Sequence, residues 1–177
     1  MQKAENTAEA ILAAAERRAR RAGYRGFSFR DLAGDVGVKS ASVHYHFPNK
    51  GDLAARLVQR YRLRTLKALG SSQGCSARQA VERLAALFVE ANETHDLMCL
   101  CCLLGAESDA LPRNVVAEVA DYFAELCGWL EAAFGPDQKG LGAQTVVAAL
   151  EGALVIARTR RDPEVLRRCA REIAAGF

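Results

Sequence analysis

The sequence has little proline, few aromatic residues and no long apolar run. Four prolines and one tryptophan occur among 177 residues, and aromatic residues make up 7% of the chain. The longest uncharged apolar run, residues 97–106, is about half as long as the helix that a bilayer requires. The first residues also lack the apolar core of a signal peptide. The sequence therefore predicts no membrane span, no membrane partner and a cytoplasmic location.

Segments typical of disorder or of β-sheet are lacking as well. Hydrophobic residues make up 50% of the chain and charged residues 25%, which is ordinary for a folded globular protein. Alanine occurs 33 times, and no stretch alternates apolar and polar residues as a half-buried strand does. We therefore predict an all-α protein of about nine helices.

Capping patterns mark where the predicted helices begin. Asn6, three residues before Glu9, predicts the start of the first helix, and Ser28 with Asp31 predicts the start of the second. Ser40 is the expected cap of the third helix. The remaining helices are expected at about residues 50–69, 77–94, 97–108, 112–134, 142–158 and from 163 onward.

Charge is divided unevenly along the chain, although the net charge is only +3. Residues 1–67 hold fourteen Lys and Arg against six Asp and Glu, and residues 68–177 hold ten against fifteen. The first part thus carries +8 and the second −5. A basic part favours a polyanionic partner, whereas an acidic part avoids one, so the division predicts two functions in one chain.

The most informative stretch is GFSFRDLAGDVGVKSASVHYHFPNKGDLAARL, residues 26–57. Two short predicted helices separated by residues 37–39 form a helix-turn-helix. The apolar residues expected at the contact between these helices and in the core are Leu32, Ala33, Val38, Val43 and Phe47. The polar residues left on the outer face and its flanks are Lys39, Ser40, Ser42, His44, Tyr45 and His46.

This outer face has the residue types that read DNA. Short polar side chains on an exposed helix suit contacts with base edges in the major groove. Lys50 begins the next predicted helix, where free backbone N–H groups and the helix dipole favour a phosphate. Ser28 and Arg30 occupy the corresponding start of the first helix of the motif. The predicted DNA-binding residues are Ser28, Arg30, Lys39, Ser40, Ser42, His44, Tyr45, His46 and Lys50.

The motif resembles the N-terminal domain of the tetracycline-repressor (TetR/AcrR) family of bacterial transcription regulators. The matching segments are GFSFRDLA at residues 26–33, VGV at 36–38, SVHYHFPNK at 42–50, and Leu53. The resemblance extends over roughly residues 8–60. It implies a DNA-binding head joined to a helical body that binds a ligand and forms a dimer.

The resemblance also implies roles for individual residues. The side chains expected to approach bases are Arg30, Ser40, Ser42 and Tyr45, and those expected to approach the DNA backbone are Ser28, His44, His46 and Lys50. The family often has tyrosine directly after the position of Val43, where this sequence has His44. Imidazole can still donate to phosphate, but its charge depends on pH near neutrality. We predict a helix-turn-helix domain over residues 1–48 and an effector-binding and dimerisation domain over residues 49–177.

Bulky apolar residues in the acidic part predict a ligand pocket. The expected lining residues are Phe88, Met98, Cys102, Tyr122, Phe123 and Trp129. Because few buried charges are expected there, a small apolar or weakly polar effector is favoured. The last two predicted helices are rich in small and aliphatic residues, and an apolar stripe near a chain end favours a partner. The resemblance implies that these helices form the interface of a homodimer.

Six cysteines are expected to be reduced thiols, because the predicted location is cytoplasmic. Cys99, Cys101 and Cys102 lie close together in the sequence, and in a helix the first and the last would share a face. Three interpretations stay open: small core residues, a thiol sensor of oxidants or electrophiles, and a site for a soft metal. No second paired motif supports the metal site, so we predict no metal ligands.

Together these patterns predict a ligand-responsive regulator of transcription, most simply a repressor. Two recognition helices about one DNA turn apart in a homodimer would read a palindromic operator, and a small-molecule effector would release it. The alternative is a cysteine-based redox or electrophile sensor that uses the same DNA-binding head. We predict no enzyme and no cofactor, because a Ser/His/Asp set, a phosphate-binding glycine loop and a metal-ligand constellation are all lacking.

Overall fold

The computed structural model describes residues 2–95, 97–135 and 140–177. Over these ranges the protein is all-α, as predicted, with nine α-helices. Their bounds are α1 Gln2–Ala22, α2 Phe29–Val36, α3 Ser40–His46, α4 Lys50–Leu69, α5 Ala77–His95, α6 Leu100–Ala106, α7 Arg113–Glu131, α8 Ala143–Arg160 and α9 Glu164–Ala175. None of the helices in these ranges is both long enough and apolar enough to cross a membrane.

The chain forms two compact units that differ from a simple division into an N-terminal and a C-terminal half. Unit 1 contains Met1–Arg62 and Leu100–Ala120, and unit 2 contains Leu63–Cys99 and Asp121–Phe177. Helices α4 and α7 are each divided between the two units, because the boundaries fall within them. Unit 1 therefore includes α6 and the start of α7 in addition to the helix-turn-helix. The functional boundary that we predict at residue 48 lies within unit 1 and stays a prediction.

Two helix starts differ from the sequence prediction. Helix α1 begins at Gln2, so Asn6 lies inside the helix and the predicted cap there is wrong. The Gln, Lys, Ala and Glu residues before Asn6 are good helix formers, which explains the earlier start. Helix α3 has Lys39 at its N-cap position, with extended backbone (φ −76°, ψ 148°), and Ser40 is its first helical residue rather than its cap.

The sixth helix is shorter than predicted. It begins at Leu100 instead of residue 97 and ends at Ala106, and a short 3₁₀ turn follows at Ser108–Ala110. Cys99 therefore precedes the helix, and the shared helical face expected for Cys99 and Cys102 is not formed. Cys99 also belongs to unit 2, whereas Cys102 belongs to unit 1.

Unit 1 combines a largely apolar core with ion pairs between its helices. Helices α1, α2 and α3 pack on one another, and the side chains that are completely inaccessible include Ile11, Leu32, Val43, Leu53 and Leu57. The guanidinium of Arg18 on α1 donates hydrogen bonds to both carboxylate oxygens of Asp35 on α2, at 2.5 and 2.8 Å. Arg60 on α4 donates to Glu9 and Glu16 on α1 at 2.8 and 2.9 Å. These pairs connect the end of α2 and the middle of α4 to α1.

Unit 2 is built around α5, α8 and α9, which pack pairwise on one another. Its completely inaccessible side chains include Leu84, Leu126, Leu130, Leu150 and Leu166. Arg167 on α9 donates to Glu93 on α5 at 2.7 Å. The indole N–H of Trp129 on α7 donates to the carbonyl of Gly70, just past the end of α4, at 2.7 Å.

Candidate nucleic-acid interface

Helix α2 begins at a complete capping box. The Ser28 hydroxyl accepts the backbone N–H of Asp31 at 3.2 Å, and the Asp31 carboxylate accepts the backbone N–H of Ser28 at 2.9 Å and its hydroxyl at 2.6 Å. The hydroxyl and backbone donors of Ser28 hold the pKa of Asp31 below its usual value. The sequence prediction of this helix start is confirmed. The Ser28 side chain caps the helix and remains exposed.

The turn between the two helices depends on a glycine. Gly37 ends α2 in the left-handed conformation (φ 74°, ψ 33°), which a residue with a Cβ adopts only with strain. Its N–H donates to the carbonyls of Ala33 and Gly34, and the N–H of Val38 donates to Ala33 at 3.0 Å. Lys39 then returns to extended backbone, from which α3 begins at Ser40. The helix-turn-helix predicted from the sequence is thus formed.

Helix α3 has one apolar and one polar face. Val43 is completely inaccessible and Phe47, which follows the last turn, is 6% exposed, as the inward positions were predicted to be. On the other side, Tyr45 is 81% exposed. Ser40 and His44 are exposed with it. The arrangement gives a short helix whose outer surface carries mainly hydrogen-bonding side chains.

The two histidines of α3 make ring contacts with their neighbours. The His44 imidazole meets the ring of Phe29 on α2 edge to face, with 4.6 Å between centroids. His46 contacts the rings of Tyr45 and Phe47 at 5.1 and 6.3 Å. His44 thus helps to hold α3 against α2 while remaining exposed, and His46 is half-buried.

Lys50, at the start of α4, has surroundings that the sequence did not reveal. Its ammonium lies 4.4 Å from the ring centroid of Tyr24 and 4.6 Å from that of Phe27. Partial burial lowers the pKa of Lys50, while the carboxylates of Asp31 and Glu107 act in the opposite direction. Lys50 is the first residue of α4 and follows the helix-turn-helix in the sequence. Its ammonium therefore lies against two aromatic rings rather than extending freely into solvent.

All the predicted DNA-binding residues belong to unit 1. Those that are exposed are Ser28, Arg30, Lys39, Ser40, His44 and Tyr45. Those that are half-buried are Ser42, His46 and Lys50. The structure thus leaves each of them at least partly accessible, and their individual contacts with DNA stay predictions.

Glu107 is a member of this region that sequence reasoning missed. Its carboxylate accepts the backbone N–H of Tyr24 at 3.0 Å across a separation of 83 residues. No local pattern around Glu107 signals this contact, because it depends on the packing of α6 in unit 1. Sequence reasoning also missed the aromatic partners of Lys50, because no local pattern links Tyr24 and Phe27 to a lysine more than twenty residues further along the chain.

The residues predicted to line an effector pocket are divided between the units. Phe88, Met98, Tyr122, Phe123 and Trp129 belong to unit 2, and Cys102 belongs to unit 1. Phe88, Met98 and Tyr122 are buried, whereas Phe123 and Trp129 are half-buried. The rings of Tyr122 and Phe123 meet edge to face at 5.2 Å. Their role in ligand binding stays a prediction.

The six cysteines are free thiols. Cys99 and Cys101 are buried, and Cys99 Sγ lies 3.7 Å from the Tyr122 hydroxyl. Burial raises the pKa of the Cys127 and Cys169 thiols, and the nearby carboxylates of Glu131 and Glu172, respectively, raise it further. Over the residues that the structure describes, no group of three or more His, Cys, Asp and Glu side chains is arranged to hold a metal ion.

Helices α8 and α9 border an apolar groove in unit 2. Its volume is about 290 Å³, and its walls include Gly152, Ala153 and Ile156 of α8 and Val165, Arg168 and Cys169 of α9. Val155 and Ile156 are 42% and 49% exposed. Large aliphatic side chains next to an apolar groove form a surface that another apolar surface can cover.

Comparison with protein families gives one match within the chain. The model of the family described as bacterial regulatory proteins, tetR family, matches residues 11–57. This segment contains α2 and α3 together with parts of α1 and α4. No curated protein sequence matches the chain.

Solved structures match over nearly the whole length. A TetR-family transcriptional regulator from Agrobacterium tumefaciens is 27% identical, with 97% of each chain covered and a TM-score of 0.86. A TetR transcriptional regulator from Legionella pneumophila is 26% identical, with 93% of this chain and 94% of that chain covered and a TM-score of 0.83. NemR of E. coli in its reduced form is 21% identical over 95% of both chains with a TM-score of 0.77, a likeness of fold alone.

Proposed function

Since the chain belongs to the tetR family of bacterial regulatory proteins, we propose that it is a repressor that binds a palindromic operator as a homodimer and releases it when a small molecule binds. Membership makes it a DNA-binding transcription regulator and not an enzyme. We assign DNA reading to residues 1–48, and effector binding and dimerisation to residues 49–177. A regulator of bacterial genes works where the DNA lies, so the proposed location is the cytoplasm.

The observation that carries this proposal is the outer face of α3. Tyr45 is 81% exposed although Val43 and Phe47 on the same short segment are buried. An exposed aromatic side chain with a hydroxyl suits hydrogen bonding and apolar contact with base edges. Arg30 adds a guanidinium at the start of α2, where it can donate in pairs to guanine. Exposed Lys39 and half-buried Lys50 add cationic groups for the DNA backbone.

The α8–α9 groove supports the homodimer. Gly152, Ala153 and Ile156 give α8 a surface of small and aliphatic side chains, and small residues allow two helices to approach closely. In a two-fold dimer the same patch serves both copies, so one apolar surface is sufficient. Two copies related in this way present two α3 helices to a palindrome.

The proposed effector site lies among the aromatic residues of unit 2. Phe88 and Tyr122 are buried, and Phe123 and Trp129 are half-buried, so large apolar side chains extend from the interior of unit 2 to its surface. Such surroundings favour an apolar or weakly polar molecule over a highly charged one, because a buried charge without a counterion is costly. Binding of this molecule would release DNA only if it favours a conformation of the dimer that binds DNA less tightly.

The alternative, a thiol sensor acting through the same head, has less physical support. Cys127 and Cys169 have raised pKa values, and a raised pKa lowers the fraction of reactive thiolate near neutral pH. Cys99 and Cys101 are buried, so an oxidant or electrophile reaches them only after local opening. Alkylation with iodoacetamide should leave operator binding intact. Release of DNA that disappears after Cys99→Ser or Cys102→Ser would favour the thiol sensor instead.

Footprinting on DNA upstream of the protein's own gene tests the proposed function. We expect protection of one inverted repeat, with an affinity that falls steeply as salt is added because phosphate contacts release counterions. A screen of small apolar compounds for loss of this protection then identifies the effector. Absence of any sequence preference at low and moderate salt would contradict the proposal.

A further inference from the structure

The segment from Glu107 to Asn114, which joins α6 to α7 and includes the first two residues of α7, contacts the surroundings of the helix-turn-helix within unit 1. Glu107 Oε2 accepts the N–H of Tyr24 at 3.0 Å. Asn114 Nδ2 donates to Asp52 Oδ1, in the first turn of α4, at 3.2 Å. These contacts place a segment far along the sequence against both the turn that precedes α2 and the start of α4.

The same segment lies close to the backbone at two glycines. A Cβ at Gly23, whose φ is 67°, would overlap with Glu107 Oε1. A Cβ at Gly51 would lie 3.2 Å from Pro112 Cγ. The two glycines permit the carboxylate and the proline ring to lie directly on the backbone that flanks the DNA-binding motif.

Glu107 acts on a group that Lys50 depends on. The ring of Tyr24 lies 4.4 Å from the Lys50 ammonium, and the Glu107 carboxylate binds the backbone of the same tyrosine. Tyr24 and Phe27 also meet edge to face, with 6.2 Å between their ring centroids. Phe27 directly precedes Ser28, the cap of α2. A shift of Tyr24 would therefore change the position of the Lys50 ammonium and of Phe27, which precedes the start of α2.

We propose that Glu107 is a positioning residue for DNA binding: by fixing the backbone of Tyr24, it holds the aromatic pair that places Lys50 and the start of α2. The proposal rests on the proposed function, since it names a residue outside the helix-turn-helix that supports its DNA contacts. Glu107 does not itself meet DNA. It raises the fraction of the protein whose DNA-binding surface is already ordered, so binding has less to order.

The matched variants are Glu107→Ala, Glu107→Gln and Asp109→Ala. Glutamine keeps an oxygen that accepts the Tyr24 N–H but removes the charge, whereas alanine removes both. Asp109 is an exposed carboxylate two residues away, so its loss controls for the removal of one negative charge from unit 1. A change caused by charge alone follows all three variants, and a change caused by positioning separates alanine from glutamine.

The probe is a duplex that the parent protein selects from random-sequence DNA, and the readouts are its Kd and the hydrogen exchange of the Tyr24 amide. We expect Glu107→Ala to weaken binding about tenfold, as loss of one charge-assisted hydrogen bond allows, and to speed exchange at Tyr24. Glu107→Gln should stay within about threefold of the parent because a neutral acceptor keeps most of the bond. Asp109→Ala should bind as tightly as the parent or slightly more tightly.

Two results would overturn the proposal while leaving the proposed function intact. In the first, Glu107→Ala, Glu107→Gln and Asp109→Ala all strengthen binding equally, and the residue acts only through its charge. In the second, Glu107→Ala speeds exchange at Tyr24 without changing the Kd, and the contact is structural only. Failure of the proposed function looks different, because the parent protein would then select no sequence from the random pool.

Discussion

Helices α3 and α8 place their apolar residues in opposite ways. On α3, Val43 is buried and the exposed side is polar, with Tyr45 81% exposed. On α8, the buried side is apolar except for Glu151, and the exposed side also carries large aliphatic residues, Val155 and Ile156, which are 42% and 49% exposed. The first helix thus presents a polar surface suited to DNA, and the second presents an apolar surface suited to another protein surface.

The difference follows the division of charge along the chain. The first 67 residues carry +8 and the remainder carries −5. A basic surface with hydrogen-bonding groups attracts DNA, whereas an acidic part with an apolar patch is repelled by phosphates and favours association of copies. Because the proposed function assigns the two surfaces to separate partners, changes at either one should have separable effects.

The largest expected effect on α3 comes from its inward side. Phe47→Ala should lower the free energy of unfolding by about 3–5 kcal/mol, because the ring is almost fully buried and its removal leaves a cavity. Thermal denaturation followed by circular dichroism measures this loss. Operator binding should disappear together with the folded structure of unit 1. A stable Phe47→Ala protein that still fails to bind DNA would show that the ring is not a core residue.

On α8, a charge in the apolar surface should separate association from folding. Ile156→Asp should weaken dimerisation by about 2–4 kcal/mol, the range found for side chains central to an interface. Sedimentation equilibrium measures association, and helix content should stay unchanged. Ala86→Asp, on an exposed position of α5, is the control for adding one carboxylate to unit 2. A dimer of unchanged strength in Ile156→Asp would place the interface elsewhere.

The outward side of α3 should affect DNA binding without affecting stability. Tyr45→Ala should weaken operator binding by about 1–3 kcal/mol, as expected for a side chain that reads bases. Its unfolding free energy should change by no more than about 0.5 kcal/mol, because the side chain is mostly exposed. Fluorescence anisotropy and chemical denaturation give the two numbers. Equal affinity of Tyr45→Ala and the parent would remove Tyr45 from the interface.

The smallest expected effect concerns the capping box of α2. The pKa of Asp31 is lowered by the donors of Ser28, so the ionised carboxylate contributes stability that is present above the unfolded value of about 3.8 and lost as the pH falls through the lower folded value. Asp31→Asn should therefore be less stable than the parent at pH 7, and the difference should vanish in acid. Ser28→Ala removes the hydroxyl donor but keeps the backbone N–H, so it should reduce the same pH dependence without abolishing it.

Urea denaturation at a series of pH values tests the cap. If Asp31→Asn and the parent differ by the same amount from neutral to strongly acidic pH, the carboxylate does not stabilise the helix start by its charge. Because Asp31 is exposed, the loss of stability in Asp31→Asn should be much smaller than that in Phe47→Ala.

The helix-turn-helix was predictable because its signals are local. Ser28 with Asp31 marked the start of α2, and Gly37 supplied the left-handed residue at its end. The inward positions Val43 and Phe47 followed from their spacing of four residues on one helix face. The true start of α1 was missed because intrinsic helix propensity outweighed a possible cap at Asn6.

Features that depend on packing between distant segments were not predictable. Glu107 meets Tyr24 across 83 residues, and the aromatic surroundings of Lys50 form only when the turn before α2 folds back on α4. The predicted effector residues show the same limit, since Cys102 falls in a different compact unit from the other five. Composition identifies apolar residues, but it does not say which of them lie together.

The most direct test of the central claim is a footprint of the parent protein and of Tyr45→Ala on DNA upstream of the gene. Selective reading of DNA by the outer face of α3 predicts that the parent protects an inverted repeat, with two copies of the chain bound. Tyr45→Ala should lose this protection while remaining folded and dimeric. Protection of the same repeat by both proteins with equal affinity would contradict the claim.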